Sequence, residues 1–371
     1  MPPMTHIAVI GAGIIGAATA DHLARSRARV TLVDARQPGH GASGTSLAWL
    51  NSHAKDPRAY HDLSVAGLEE WRRLAAGMGD PSWYAPTGGI AWASTDEEAA
   101  DLTARVARLR DRDYPATELT ASRLADLEPA LRLPPGAHAA FFAAEGFLFG
   151  GPATQALVAR AALHGAEVVT GVPAIGIDAD GGTVTGVRLA DGRRITADAY
   201  AFSAGAATPG LLAGLGVAVA LLPGEAPGSP APCLVAHVAT DTALIRRVVQ
   251  TPRLSMRPLQ RPGLYLEAGD LNATVDVHTG AEVVGQHVAE LRARAAEVLP
   301  GLGDGDGRIC VRPLPEDGLP IVGWAPGLSN AYLTVTHSGM TLGALLGRLT
   351  TAELLGERQA VLEAYRPGRF G

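Results

Sequence analysis

Apolar residues fall along this chain in two rhythms, short unbroken runs and helical spacing. Ile7 to Ile10 is a run that predicts a buried strand, a helix-like segment follows through Leu23, and Val30 to Val33 is a second run closed by Asp34. Leu63, Leu68, Trp71 and Leu74 have helical spacing within 57–76, Thr87 to Trp92 reads as a strand, and 96–110 and 120–128 read as helices polar on one face. A helix at 152–164 stops at His164-Gly165 and leads into a strand through Val169. Val184 to Leu189 and Arg194 to Ala197 around Asp191-Gly192 predict a hairpin, followed by a strand from Ala199 to Phe202. Residues 231–277 are strand-rich, and 281–298 is helical. Ile321 to Gly323, a strand from Ala331 to Val335, a turn at His337-Ser338-Gly339 and an apolar helix from about Thr341 to Leu355 close the chain.

The stretch Ala199 to Gly224 carries no charge and is long enough to span a bilayer. Gly205, Pro209, Gly210, Gly214, Gly216 and Pro223 punctuate it, so it reads as a buried strand, a turn, a short helix and another strand. No membrane span is expected.

Between the first two apolar runs stands Gly11-Ala12-Gly13-Ile14-Ile15-Gly16. Gly11 allows a tight turn, Gly13 lets a pyrophosphate approach the backbone, and Gly16 lets the helix pack on the strand. The phosphates then rest on free N–H groups at the helix start, and Asp34 accepts from a ribose hydroxyl. Strand, glycines, helix and acid in this order predict a dinucleotide-binding βαβ unit. The small-residue loop Pro38 to Ser46 leaves further N–H groups free for an anion.

Composition narrows the class. At 371 residues the chain exceeds one ordinary core, so two domains are expected. With 47% hydrophobic and 18% charged residues it reads as a soluble globular protein, and a net charge of −6 with the signs interspersed argues against a nucleic-acid surface. The segment MPPMTH has no basic region leading into an apolar core, so no secretory leader is expected. The cysteines, Cys233 and Cys310, lack metal-ligand spacing, which favours a reduced, cytoplasmic setting.

These segments together resemble the D-amino-acid oxidase, glycine oxidase and sarcosine oxidase family of FAD enzymes. The carriers are GAGIIG with Asp34, GASGTSLAW (41–49), GAEVVTGVPAIGI (165–177), ADAYAFSAGAATPGLL (197–212), RICVRPLPEDGLPIVG (308–323) and AYLTVTHSGMTLGALLGRL (331–349). The resemblance covers nearly the whole chain and is weakest at 80–145 and 223–300. It implies an α/β fold: a Rossmann-like FAD-binding domain of the glutathione-reductase type with an inserted strand-rich α+β substrate domain. The first would comprise 1–80, 146–222 and 306–371, the second 81–145 and 223–305.

FAD rather than NAD is expected, because a second phosphate-side loop and a C-terminal return accompany the glycine motif. By the resemblance, Gly11, Gly13, Ile14, Ile15 and Gly16 form the phosphate turn, Asp34 binds the adenosine ribose, and Ala35 lies beside it. Ala42, Ser43 and Ser46 lie along the pyrophosphate and ribityl chain, and Leu47, Ala48 and Trp49 run past the isoalloxazine. The Ala174 backbone meets the adenine and Gly205 belongs to the cofactor wall. His337, Ser338, Gly339, Met340, Thr341 and Leu342 wrap the pyrimidine end. There a helix start directs about half a positive charge at the ring edge that becomes negative on reduction.

For the substrate, the resemblance assigns Arg312 of Val311-Arg312-Pro313 to a carboxylate, which a planar guanidinium grips with parallel hydrogen bonds. The alternative is a surface pairing with Glu316 or Asp317. Where relatives offer a substrate-side Tyr, this chain has Arg253, with Ser255 and Arg257 expected on the same strand face. Either a more acidic or bulkier substrate or a solvated face accounts for this. Ala207 stands where the family commonly has Trp. No lysine occurs at the family's flavin-facing position; Lys55, the sole lysine, reads as a solvated loop residue that could approach the site. Cys310 occupies the position that tethers FAD in monomeric sarcosine oxidase, but non-covalent FAD is favoured.

The expected function is hydride transfer from an amino acid or N-substituted amino acid to flavin, giving an imine that hydrolyses. This needs orientation more than a base, with His53 able to tune the amine's protonation. An FAD-dependent 2-hydroxy-acid dehydrogenase is the second reading and would need His53 or His337 as base. A flavin-binding subunit that turns over only with a partner is the third.

Overall fold

The structure, a computed structural model, describes residues 4–134, 136–226 and 228–371. A six-stranded sheet holds, in spatial order, Ile321–Trp324, Ala331–Val335, Ala199–Phe202, His6–Ile10, Arg29–Asp34 and Glu167–Thr170. Its neighbours are parallel except for Ile321–Trp324 against Ala331–Val335. Parallel strands are covered on both faces, which is why they read as unbroken apolar runs. Ile7 and Val9 join a core with Ala17, Leu157 and Leu346 of the helices Ile14–Arg25, Gly150–Leu163 and Gly339–Leu354. Ala8 and Ile10 point the other way, onto Val184, Val187 and Leu189 of the expected hairpin, which Ala174–Asp180 extends to three strands.

The second large sheet has eight strands: Leu302–Val311, Pro232–Thr240, Gly263–Glu267, Ser255–Pro258, Val248–Gln250, Gly89–Ala93, His138–Phe142 and Ala116–Leu119. Two distant stretches of chain meet where Val248–Gln250 pairs in parallel with Gly89–Ala93; the other pairs are antiparallel. Ala281–Ala296 lays Val288, Leu291 and Ala295 on this sheet, against Leu234, Ala236 and Leu266.

Two expectations need correction. The second strand of the uncharged stretch does not form: after the helix Thr208–Leu212, only an isolated bridge joins Leu221 to Pro315. Pro223, Pro313 and Pro315 withhold the N–H groups that a longer ladder would need. The C-terminal helix begins at Gly339 rather than near Thr341. No helix among the described residues is long and apolar enough to cross a membrane.

Candidate active site

The two large sheets share a cavity of about 1070 Å³. Loops after the parallel strands form one wall, with Gly11 to Ile15, Asp34 to Arg36 and Ser203 to Ala207. That is the carboxyl edge at which open α/β sheets bind ligands. Cys233, Gln250, Ser255, Glu267 and Ile309 to Pro313 come from the opposite side, and parts of 39–55 and Thr334 to Thr341 complete the lining.

The nucleotide side is built by backbone geometry. Gly11 has φ +108°, and a Cβ there would lie 2.4 Å from the Ser203 carbonyl oxygen. A Cβ on Gly16 would lie 1.8 Å from the Gly11 carbonyl oxygen, so the helix can approach its own turn only with hydrogen at that position. Asp34 is held by the backbone N–H groups of Ala12 at 2.6 Å and Arg36 at 2.7 Å. Each carboxylate oxygen retains a lone pair for a hydroxyl. Ser43 Oγ accepts the Ile14 N–H at 2.9 Å, and Ser46 Oγ accepts that of Ala48 at 2.8 Å. Ala48 adopts φ +53°, an uncommon conformation for a residue with a Cβ, in the stretch expected to pass the isoalloxazine. Ala35, Ala42, Leu47, Trp49, Ala174, Gly205, Ser338, Gly339, Met340 and Thr341 also line the cavity. Gly16 and Leu342 do not: both are buried, packing the wall from behind.

The residues fit a bound dinucleotide. Helices start on the cavity at Ile14 and Gly339, neither capped by the side chain of its own N-cap residue, with Ser43 Oγ taking the Ile14 N–H alone. Buried polar atoms of lining residues, Ser203 Oγ, Trp49 Nε1, His53 Nε2 and Arg312 Nε, have no protein partner among the described residues. Buried polar groups are rarely left in that state, so a ligand that reaches such atoms is favoured.

Arg312 lines the cavity and is not bound to Glu316 or Asp317. Its Nη1 donates to Glu267 at 3.4 Å and its Nη2 to the carbonyls of Pro230 and Pro232. Asp317 instead takes Arg369 at 2.7 Å. Arg253 is placed elsewhere. The strand begins only at Ser255, and Arg253 sits in the preceding turn, exposed and paired with Glu290 and Glu297 at 3.5 and 3.6 Å. Arg253 therefore does not share the face that Ser255 and Arg257 take on this strand: Ser255 lines the cavity, and Arg257 is buried beneath the loop at Ser46 and Leu47. Arg257 Nε donates to the Leu47 carbonyl at 2.6 Å, its guanidinium lies 4.5 Å from the Tyr265 ring centroid, and burial lowers its pKa to about 10.

Lys55 is turned inward rather than solvated, its Nζ donating to Ser338 Oγ at 3.0 Å. Burial lowers its pKa, opposed by the charge of Glu145. Ser338 Oγ is also 2.5 Å from Tyr60 Oη. His337 is exposed where it opens onto the cavity, and the protein packed around that opening disfavours a charged ring. With Lys55 and Arg312 adding to that effect, its pKa is held down to about 3. An imidazole with so little proton affinity is a poor base near neutrality.

His53 lines the cavity and is bound from behind by Glu145, 92 positions away, with Nδ1 2.9 Å from Oε1. Glu145 and Glu267 carry no motif spacing and were not legible as site residues; each becomes one through a partner distant in sequence. Cys310 reaches the cavity, with Sγ 3.5 Å from the Thr45 carbonyl, and is paired across strands with Cys233. Both are free thiols. The neighbouring Cys233 lowers the Cys310 pKa against the opposing effect of burial.

The family described as DAO, FAD dependent oxidoreductase, matches residues 6–353. The oxidoreductase YurR of Bacillus subtilis is 28% identical over 382 residues, 97% of each chain. The glycine oxidase of Pseudomonas putida is 28% identical over 389 residues, 98% of this chain and 99% of that protein. Among solved structures, iminodiacetate oxidase from Chelativorans sp. BNC1 superposes with a TM-score of 0.83 at 22% identity, covering 97% of this chain and 98% of that one. With its glycine turn, anchored Asp34 and cofactor-sized cavity, this chain belongs to the DAO family of FAD-dependent oxidoreductases.

Proposed function

We propose that the protein oxidises the C–N bond of an amino acid or N-substituted amino acid, with Arg312 as the anchor for the substrate carboxylate. The observation that carries this reading is Arg312 itself. It is a guanidinium on the wall opposite the nucleotide motif, held in place by Glu267 and two carbonyls, with Nε unpartnered among the described residues. A fixed fork with a free donor suits a planar anion and sets the α-carbon at one height in the cavity. Glycine oxidase and iminodiacetate oxidase, named for an amino acid and an N-substituted one, support the substrate class.

FAD, when bound, supplies the acceptor for the hydride that leaves the α-carbon. The chain's own residues orient the substrate, exclude water and hold charge. Arg312 fixes the carboxylate, Lys55 and the start of Gly339–Leu354 bring positive potential to the cofactor's far end, and Arg257 holds the loop at Ser46 and Leu47. The imine product hydrolyses after release. Cys310 stays a free thiol and the cofactor non-covalent in this reading, and two free thiols suit a reducing, cytoplasmic setting.

Oxidation of a 2-hydroxy acid is the second reading, favoured by the His53–Glu145 contact, since a hydroxyl proton needs a base. Anaerobic mixing of purified holoenzyme with amino acids, N-methyl amino acids and 2-hydroxy acids separates the two. Bleaching of the flavin absorbance by the first two classes is expected. Bleaching by hydroxy acids alone, or by nothing in the set, would overturn the reading.

A further inference from the structure

Behind the cavity lies a buried polar cluster that hydride transfer itself does not use. His53 and Glu145 are 2% and 1% exposed. Glu145 Oε1 accepts the backbone N–H groups of Ser52 at 2.9 Å and His53 at 3.0 Å, and the Tyr114 hydroxyl at 2.9 Å. The His53 Nδ1 is 2.9 Å from the same oxygen and 3.1 Å from Oε2. A carboxyl group surrounded by this many donors is stabilised as the anion, and an anionic carboxylate only accepts, so Nδ1 must carry the ring proton. Burial pushes Glu145 towards protonation, but the charge His53 carries when protonated, its hydrogen bond and the backbone donors outweigh it and hold the carboxyl below its usual range.

Packing on both sides opposes a turn of the ring that would exchange its nitrogens. It is stacked on Phe142 at 4.2 Å and 9°, and tilted against Trp49 at 4.9 Å. With Nδ1 committed to Glu145, the opposite ring nitrogen, Nε2, is the one left to gain or lose a proton, and it has no partner among the described residues. The charged and titratable neighbours are accounted for: Glu145 and Tyr114 on the Nδ1 side, and His61 at 5.2 Å from the Tyr114 ring with its Nδ1 2.8 Å from Ser52 Oγ. Lys55 is turned away to Ser338, and His337, with its pKa near 3, stays neutral. Phe142 and Trp49 bring no charge.

We propose that His53 Nε2 is the base that takes the proton from the substrate's ammonium group, and that Glu145 is the positioning residue that fixes its tautomer and balances its charge. The inference rests on the amino-acid reading of the site. At neutral pH an amino acid arrives as ammonium, with no lone pair to assist loss of hydride from the α-carbon. One N–H bond of the ammonium breaks, a bond forms between that proton and Nε2, and the electron pair remains on the substrate nitrogen. No electrons change hands in this step. The imidazolium that results is stabilised by the carboxylate at its other nitrogen, the arrangement by which carboxylates commonly orient a working imidazole.

The test uses holoenzyme of the wild type, His53→Gln and Glu145→Gln, mixed anaerobically with glycine, sarcosine, D-alanine, L-proline and iminodiacetate from pH 6 to 10. In His53→Gln the flavin content should be retained and the reduction rate at pH 7 should fall roughly 10²–10⁴-fold. The deficit should shrink about tenfold per pH unit as the substrate comes to arrive as free amine. Glu145→Gln keeps an acceptor oxygen beside Nδ1 but removes the negative charge that balances the imidazolium, and should show a pH-dependent loss of the same sign and smaller size. A deficit equal at every pH would mean that His53 only supports the fold, and wild-type rates would mean that it does nothing. Both overturn the proposal.

A second measurement does not depend on turnover. In ¹⁵N-histidine holoenzyme without substrate, the ring signal missing from His53→Gln should report a protonated Nδ1 and a bare Nε2 above neutral pH; a proton on Nε2 there overturns the proposal. Should no probe reduce the wild type, the amino-acid reading fails and the proton step falls with it. The tautomer would still tell whether the failure lies in the substrate or in the base.

Discussion

On the six-stranded side of the cavity, the groups that face inward are mostly backbone atoms, small side chains and helix starts, supplied by Gly11 to Ile15, Ser203 to Ala207 and Gly339 to Thr341. Across from them, the eight-stranded sheet presents functional side chains: Arg312 against Glu267, Ser255 and Cys310. Backbone sites depend on chain geometry within a few residues, so a single added carbon can destroy them. Side-chain sites depend on partners distant in sequence, and substitution there changes affinity or chemistry while the fold stands. In the function proposed above, the first wall would fix which cofactor binds, and the second would leave room to retune the substrate.

The sharpest way to break that contrast is at the glycines. Gly16→Val puts a Cβ 1.8 Å from a backbone oxygen that cannot move away, so soluble folded protein should be lost. Gly13 faces the cavity, where an added Cβ would lie 3.3 Å from the movable Ser43 hydroxyl, and Gly13→Val should give folded but colourless protein. Circular dichroism and the flavin absorbance of the two variants check this. A yellow Gly13→Val would show that the phosphates do not approach that turn.

On the other wall, Arg312→Leu removes the fork and leaves Glu267 without its cation. Losing such a partner costs about 2–5 kcal/mol, which corresponds to a KM increase of roughly 30- to several thousand-fold. The FAD spectrum should be unchanged. Wild-type kinetics in this variant would show that the carboxylate docks elsewhere or that the substrate has none.

Lys55 belongs to neither sheet, and its charge faces the cavity from a loop. We expect oxygen to be the electron acceptor, with Lys55 supplying the positive charge that reduction of oxygen requires. Lys55→Met should slow reoxidation of the substrate-reduced enzyme by roughly 10²-fold, measured by rapid mixing with oxygen. Slow reoxidation of the wild type, together with fast turnover on an artificial acceptor, would make the enzyme a dehydrogenase.

A smaller effect is expected in stability. The His337 pKa is lower folded, about 3, than the ordinary value of 6.5, so the unfolded chain binds more protons between those limits. The apoprotein should therefore lose stability as pH falls through that window, and His337→Gln should lower the acid-unfolding midpoint. An unchanged midpoint would mean that the ring is better hydrated than its surroundings imply. Cys310→Ser should change least: acid precipitation should release the flavin from both proteins. Colour retained in the wild-type pellet and lost from the variant would reveal a covalent link.

What could be read along the chain was whatever repeats or spaces itself locally. The runs Ile7 to Ile10 and Ala331 to Val335, the glycine turn with Asp34, and the hairpin around Asp191-Gly192 all form as expected, because strand burial and turn conformation depend on neighbours within a few residues. Arg312 could be found from its motif, but its pairing with Glu267, 45 positions earlier, could not. Period-two counting misplaced Arg253, because a turn between Thr251 and Leu254 interrupts the strand it assumed. Lys55 read as a loop residue and Glu145 carried no signal, and only the packing of distant segments places one beside Ser338 and the other behind His53. A polar side chain's role is set by what removes its water and answers its hydrogen bonds. In this protein those partners come from other elements, so the sequence by itself determined the fold and cofactor wall, and only the tertiary structure decided the chemistry of the other.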